Sequence, residues 1–163
     1  MNLSKIYEQI RYINHSRLDE LLFVTLHYKQ SSFSKSLNFD TIQDTLHKIL
    51  TKLSKLYYKN AFKRYNKRVS AYAVAERSYN NRHLHNHLII QIPKHSNIRE
   101  FKKYITQSYF KSEFAYDNKH KLDKIIDIKP VYDADELIKY MHKNLHNEYA
   151  EIDTKNINNF SIV

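Results

Sequence analysis

The chain has 163 residues and a mass of 19.7 kDa, with no Gly, no Cys, no Trp and only two prolines, Pro93 and Pro130. Lacking glycine, it cannot build a phosphate-cradling Walker loop, a G-x-G-x-x-G dinucleotide turn or a G-x-S-x-G nucleophile elbow, and lacking cysteine it has no thiol nucleophile, thiolate zinc site or disulfide. Lys+Arg 27 against Asp+Glu 17 leave a net charge of +10, a balance that suits an anionic partner, nucleic acid above all.

The opening residues MNLSKIYEQIRY lack the apolar core of a signal peptide. No run approaches the roughly 18 apolar residues that span a bilayer. The expectation is one domain with no membrane partner, in the cytoplasm or a host cell's interior. Leu21 to Tyr28 is short, apolar and β-prone, and predicts a first strand. Ile42, Leu46, Ile49, Leu50, Leu53 and Leu56 then recur at three-and-four spacing and predict a helix over about 40–59, with Asp40 as N-cap. Arg68 to Arg77 and His83 to Ile92 read as two strands of a hairpin. A second helix is predicted over about 97–111, where Asn97 and Glu100 form a capping box and Ile98, Phe101 and Ile105 line one face. Leu122 to Val131 alternates as a strand, with Pro130 marking its end or an edge. Asp133 and Glu136 cap a last helix over about 134–147, with Leu137, Met141 and Leu145 as its apolar stripe. Residues 148–163 show no helical or strand pattern and read as a tail.

That order, β-α-β-β-α-β with one more helix, predicts an α+β fold of the ferredoxin/RRM-like split β-α-β kind: a central antiparallel sheet, two helices on one face and an extra C-terminal helix. Such a topology serves many functions, so the side chains must decide among them.

Alternate residues of a strand share a face, so His83, His85 and His87 project to one side. If Tyr79-Asn80-Asn81-Arg82 is the hairpin loop, Ser78 pairs with His83 and Glu76 falls opposite His85 on that same side. One carboxylate and two imidazoles then suit a divalent ion that keeps open positions for water and a phosphate oxygen. His83 is an outer partner in this arrangement. In the last helix Tyr140 and Lys143 stand three apart, close enough to reach one centre. Tyr140 lies about 60° round from Leu137 and Lys143 about 120°, so the phenol borders the buried stripe and the ammonium faces outward. A phenol with a free pKa of about 10 needs activation to attack phosphorus. A metal-polarised phosphate and a neighbouring cation supply it. A second Y-x-x-K pair, Tyr116 with Lys119, falls in a polar segment between elements.

Taken in order, these elements resemble the HUH endonuclease superfamily, in particular the rolling-circle replication initiators (Rep proteins) of small plasmids and single-stranded DNA viruses. Phe23-Val24-Thr25-Leu26 is similar to the family's first-strand motif, and His85-Asn86-His87 before Leu88-Ile89-Ile90 to its metal-binding strand. Glu76, nine residues before His85, resembles the acidic third ligand of viral members, and Tyr140 with Lys143 the Y-x-x-K helix. The resemblance implies one endonuclease domain over 1–147, with its core at about 20–147, followed by a tail over 148–163. It implies Mn2+ or Mg2+ as cofactor, held by Glu76, His85 and His87. Tyr140 would cleave single-stranded or hairpin DNA at a replication origin through a 5′-phosphotyrosine, assisted by Lys143. A separate helicase would unwind the duplex.

Two departures stand out, and the first is the absence of glycine, which is odd for an initiator. The middle residue of the histidine pair is Asn86 where the family usually has an apolar one, and the shifted reading His83-Leu84-His85 restores an apolar residue but loses the spacing from Glu76. Relaxases of the same superfamily would need Tyr7 or Tyr12, which lack a surrounding motif. Single-tyrosine transposases carry a glutamine ligand four residues after the tyrosine, where this chain has Asn144. Outside the superfamily, the alternatives are a non-catalytic single-strand binder on an RRM-like sheet and a hydrolytic metal nuclease or phosphatase.

Overall fold

The computed structural model describes residues 10–13, 15, 17–33, 35–80, 82–94, 96–117, 122–145 and 148–156. Tyr7 and Lys119, named above, lie outside them. Among the described residues, seven strands are β1 (Leu21–His27), β2 (Ser31–Ser32), β3 (Lys35–Ser36), β4 (Ala71–Arg77), β5 (Leu84–Gln91), β6 (Ile126–Pro130) and β7 (Ala150–Ile152). The helices among the described residues are α1 (Phe39–Tyr58), α2 (Asn60–Tyr65), α3 (Ile98–Tyr109) and α4 (Ala134–His142), and a helical stretch at 10–13 precedes β1. Strands pair in the order β6-β1-β5-β4-β7, every neighbour antiparallel, while β2 and β3 form a separate small hairpin. The chain therefore has the α+β class and the central antiparallel sheet that its pattern predicts.

Both faces of this sheet are buried. On one face Leu22, Val24 and Leu26 of β1, Ala71, Ala73 and Ala75 of β4, and Leu84, Leu88 and Ile90 of β5 meet α1 and α3. On the other, Leu21, Tyr72, Val74 and Ile89 meet Ala134, Ile138 and Met141 of α4. Asn86 belongs to the first face, fully buried, and accepts a hydrogen bond from the Tyr28 hydroxyl at 3.0 Å. Its oxygen is thus answered inside the helix-packed core, on the side away from the histidines, while its Nδ2 is buried there without a hydrogen-bond partner.

Several boundaries differ from the sequence reading, each for a local reason. Helix α1 starts earlier because Asn38, not Asp40, is its N-cap: the Asn38 amide oxygen accepts from both the backbone N–H and the hydroxyl of Thr41. Asp40 sits in the first turn, where a carboxylate favours the positive end of the helix dipole. Asn97 and Asp133 do cap α3 and α4, but the boxes are not reciprocal: Glu100 takes a bond from Tyr104 and Glu136 from Lys139. Ile98 is exposed rather than core-facing, and α4 buries Ala134, Ile138 and Met141, with Leu137 and Leu145 only packed at the margin. The predicted strand over 122–131 opens with a 3-10 turn at Leu122–Lys124 and is extended only from Ile126.

Part of the expected tail is structured. Ala150–Ile152 forms β7, paired to β4, and Asp153 N–H continues the ladder to the Ala73 carbonyl. Buried Asp153 accepts from Asn156, whose amide also donates to the Gln43 carbonyl of α1. Among the described residues no helix is long and apolar enough to cross a membrane.

Candidate metal centre

Register decides which side chains meet. Ser78 N–H donates to the His83 carbonyl at the hairpin's mouth, so Glu76 of β4 stands opposite His85 of β5. Across the other edge of β5, His27 of β1 is opposite His85 and Thr25 is opposite His87. Glu76, His85 and His87 are all buried, at 6%, 7% and 5% exposure, and one ligand atom from each lies within 4.8 Å of the others. The Nε2 atoms of His85 and His87 are 3.1 Å apart. Glu76 Oε2 lies 3.1 Å from His87 Nε2 and 4.0 Å from His85 Nε2.

Each donor's other side is held. His85 Nδ1 faces the His83 carbonyl at 3.2 Å, an acceptor only, so Nδ1 carries the proton and Nε2 presents its lone pair inward. His87 Nδ1 meets the Thr25 hydroxyl at 3.1 Å. Glu76 Oε1 accepts from the Asn144 amide at 2.6 Å and faces Lys143 Nζ at 3.7 Å, whereas Oε2 is buried without a hydrogen bond. Burial lowers the His85 pKa, and His87 adds to the effect; together they bring it to about 4. Burial raises the Glu76 carboxyl, but His87, Asn144 and Lys143 outweigh it and hold the group at about 2. At neutral pH the site therefore offers one neutral imidazole lone pair and one carboxylate. An orphaned buried oxygen beside two convergent imidazoles fits a divalent cation with coordination positions left open.

The tyrosine helix closes one side of this centre. Tyr140, 44% exposed, presents its ring edge-on to His87, with centroids 5.4 Å apart, and to Phe23 at 6.2 Å. Phe23 in turn stacks on His87 at 5.6 Å. Lys143 Nζ lies 4.0 Å from the Tyr140 ring centroid, between the phenyl face and the Glu76 carboxylate. Helix α4 ends at His142 rather than near 147. Lys143 N–H bonds to the Tyr140 carbonyl and Leu145 N–H to that of His142, a tightened last turn that swings Asn144 toward Glu76.

His83 stands outside the ligand group: it is exposed, lies before β5 begins, and serves His85 through its backbone carbonyl. The shifted His83–His85 pair is therefore replaced by His85–His87. Tyr12 packs against the α4-side core, and Tyr116 lies after α3, its N–H donating to Tyr109.

Three neighbours went unassigned in the sequence. Thr25 holds His87, His27 stacks on His85 at 5.2 Å, and Tyr72 bonds His142 at 2.6 Å. The signal for His27 and Thr25 was the alternation Phe23, Thr25, His27 along β1, which puts all three on one face, and the pairing with β5 makes it the histidine face.

No protein-family model, curated protein or solved structure matches the chain.

Proposed function

We propose that this chain is a metal-dependent single-stranded DNA endonuclease and strand transferase of the HUH type, which starts rolling-circle replication of a plasmid or virus. The observation that carries the reading is the edge-on contact of Tyr140 with His87, with Lys143 reaching from the phenol ring to Glu76. The strand order supports it too, since β6-β1-β5-β4 is the order of the ferredoxin/RRM-like split β-α-β plan.

Glu76, His85 and His87 would hold the divalent ion. Imidazole ligands favour Mn2+ over Mg2+, which prefers an all-oxygen shell. When bound, such an ion polarises a phosphoryl oxygen as a Lewis acid. The Tyr140 oxygen then attacks phosphorus, a Tyr–O–P bond forms and the P–O3′ bond breaks. The phenol gives up its proton and the departing 3′-oxygen takes one, so the step is proton-neutral. Lys143 offsets the negative charge that grows on the phenolate and phosphate. The phosphotyrosine conserves the ester, so a second 3′-hydroxyl can reverse the step and join strands.

Glu76 at the centre of the site favours an initiator over a transposase. Asn144 is four residues beyond the tyrosine, and its Nδ2 donates to Glu76, so it holds the carboxylate in place. A non-catalytic RRM-like binder needs open aromatics on the central strands. Here α4 packs over that face, and β5 carries histidines there.

The test is incubation with labelled single-stranded and hairpin oligonucleotides plus Mn2+, run on a denaturing gel. A protease-sensitive band shift is expected from the wild type. Tyr140→Phe should abolish it and leave strand binding near normal. An adduct formed by that variant would overturn the assignment of Tyr140, and free 5′-phosphate products without adduct would make the chain a hydrolytic nuclease.

A further inference from the structure

Beside the candidate centre lies a groove of about 570 Å³ between the end of β6 and the start of α4. Phe23, Tyr132 and Leu137 give it apolar and aromatic surface, and Lys129, Asp133 and Glu136 its polar groups. Its size is that of a small-molecule site. Phe23 belongs to both places: it lines the groove and also touches the His87 and Tyr140 rings. Tyr132, in the connection between β6 and α4, is 82% exposed, a large aromatic left outside both cores.

We propose that this groove receives the unpaired nucleobase flanking the phosphate attacked by Tyr140, with Tyr132 as its stacking platform. The inference rests on the reading of Tyr140 given above and adds a subsite to it. Charge separates base from backbone here. Lys129 is paired with Asp127 at 2.5 Å and Glu136 with Lys139 at 2.7 Å, which leaves the Asp133 carboxylate, the cap of α4, as the groove's charge without a salt bridge among the described residues and disfavours a phosphate there. The phosphate stays on the Lys143 side, one ring away across Phe23 or Tyr140. Carboxylates accept hydrogen bonds from an exocyclic amine, as a cytosine or adenine presents, and a flat phenol stacks on any base.

The experiment is fluorescence anisotropy in EDTA, so that it reads binding without chemistry. It compares a labelled oligodeoxycytidine of about 15 nucleotides, near the upper site size of a small single-strand module, with an abasic strand of equal length. Wild type should prefer the cytidine strand. Tyr132→Ala should weaken that strand roughly 5- to 100-fold, the range expected from losing one base–aromatic stack, and leave the abasic strand's affinity unchanged. Tyr132→Phe should bind as wild type, and so should Tyr65→Ala, which removes a similarly exposed tyrosine (77%) from α2. Equal losses on both strands, or the same loss from Tyr65→Ala, overturn the groove and leave the proposed function standing. Failure of the wild type to bind either strand overturns the proposed function itself.

Discussion

The two histidines of the centre differ in what holds them, and the difference is measurable. His85 is aimed by a backbone carbonyl that no substitution removes, whereas His87 is aimed by the Thr25 hydroxyl. Thr25→Val keeps the shape and deletes the hydroxyl, so Mn2+ affinity should fall about 10- to 100-fold by calorimetric titration. Affinity equal to wild type would show that Thr25 does not orient His87. Binding only the folded state, Mn2+ at 100 times its Kd adds about 2.7 kcal/mol, which in a chain of this size raises Tm by about 5–10 °C. EDTA should reverse the rise, and Glu76→Ala or His87→Ala should never show it; a rise persisting in either variant places the ion elsewhere. Glu76 opposite His85 was legible beforehand because a four-residue loop ties the two strands locally. Thr25 and His27 were not, because β1 joins β5 across more than fifty residues and nothing local sets that register.

Helix α4 shows where periodicity stops being informative. Its heptad-like Leu137, Met141 and Leu145 suggest the buried stripe, yet Ala134, Ile138 and Met141 carry it. A short helix has several apolar stripes of similar strength, and the partner surface selects among them. Here that surface is β4 and β5, where buried Tyr72 reaches His142 with its hydroxyl at 2.6 Å and pins the helix's last turn. Tyr72→Phe removes that bond while keeping the ring, and should cost about 0.5–1.5 kcal/mol. The loss should appear as faster hydrogen exchange in the final turn of α4, with α1 amides unaffected. Uniform acceleration in both helices would mean that Tyr72 acts only through global stability. The caps at Asn97 and Asp133 were legible, since capping is a contact over three residues. Strand β7 was not: it is three residues long, and its anchors Asp153 and Asn156 are polar groups whose partners lie on β4 and α1.

At the scale of the whole molecule, a sheet covered on both faces must bury unusual numbers of large side chains, and this chain, without tryptophan, does so with tyrosine. Tyr28, Tyr72 and Tyr109 are at most 1% exposed, and burial raises the pKa of all three. Tyr109 is pushed up to about 12 from an ordinary 10, and its hydroxyl bridges elements by donating to the His27 carbonyl at 2.5 Å and accepting from Tyr116 N–H. Because the folded pKa lies above the unfolded one, the unfolded chain sheds these protons first. Tyrosine's contribution is thus fully present below pH 10 and is lost as pH rises from about 10 toward 12. Unfolding free energy measured by urea titration should therefore decline steeply above pH 10. Tyr109→Phe should start about 1–3 kcal/mol less stable at pH 8, since it strands a part-buried carbonyl and amide. Its decline above pH 10 should also be shallower, because one of the coupled ionisations is gone. Parallel declines in the two proteins would mean that Tyr109 ionises as readily folded as unfolded, and that its hydroxyl is not held between β1 and the segment after α3.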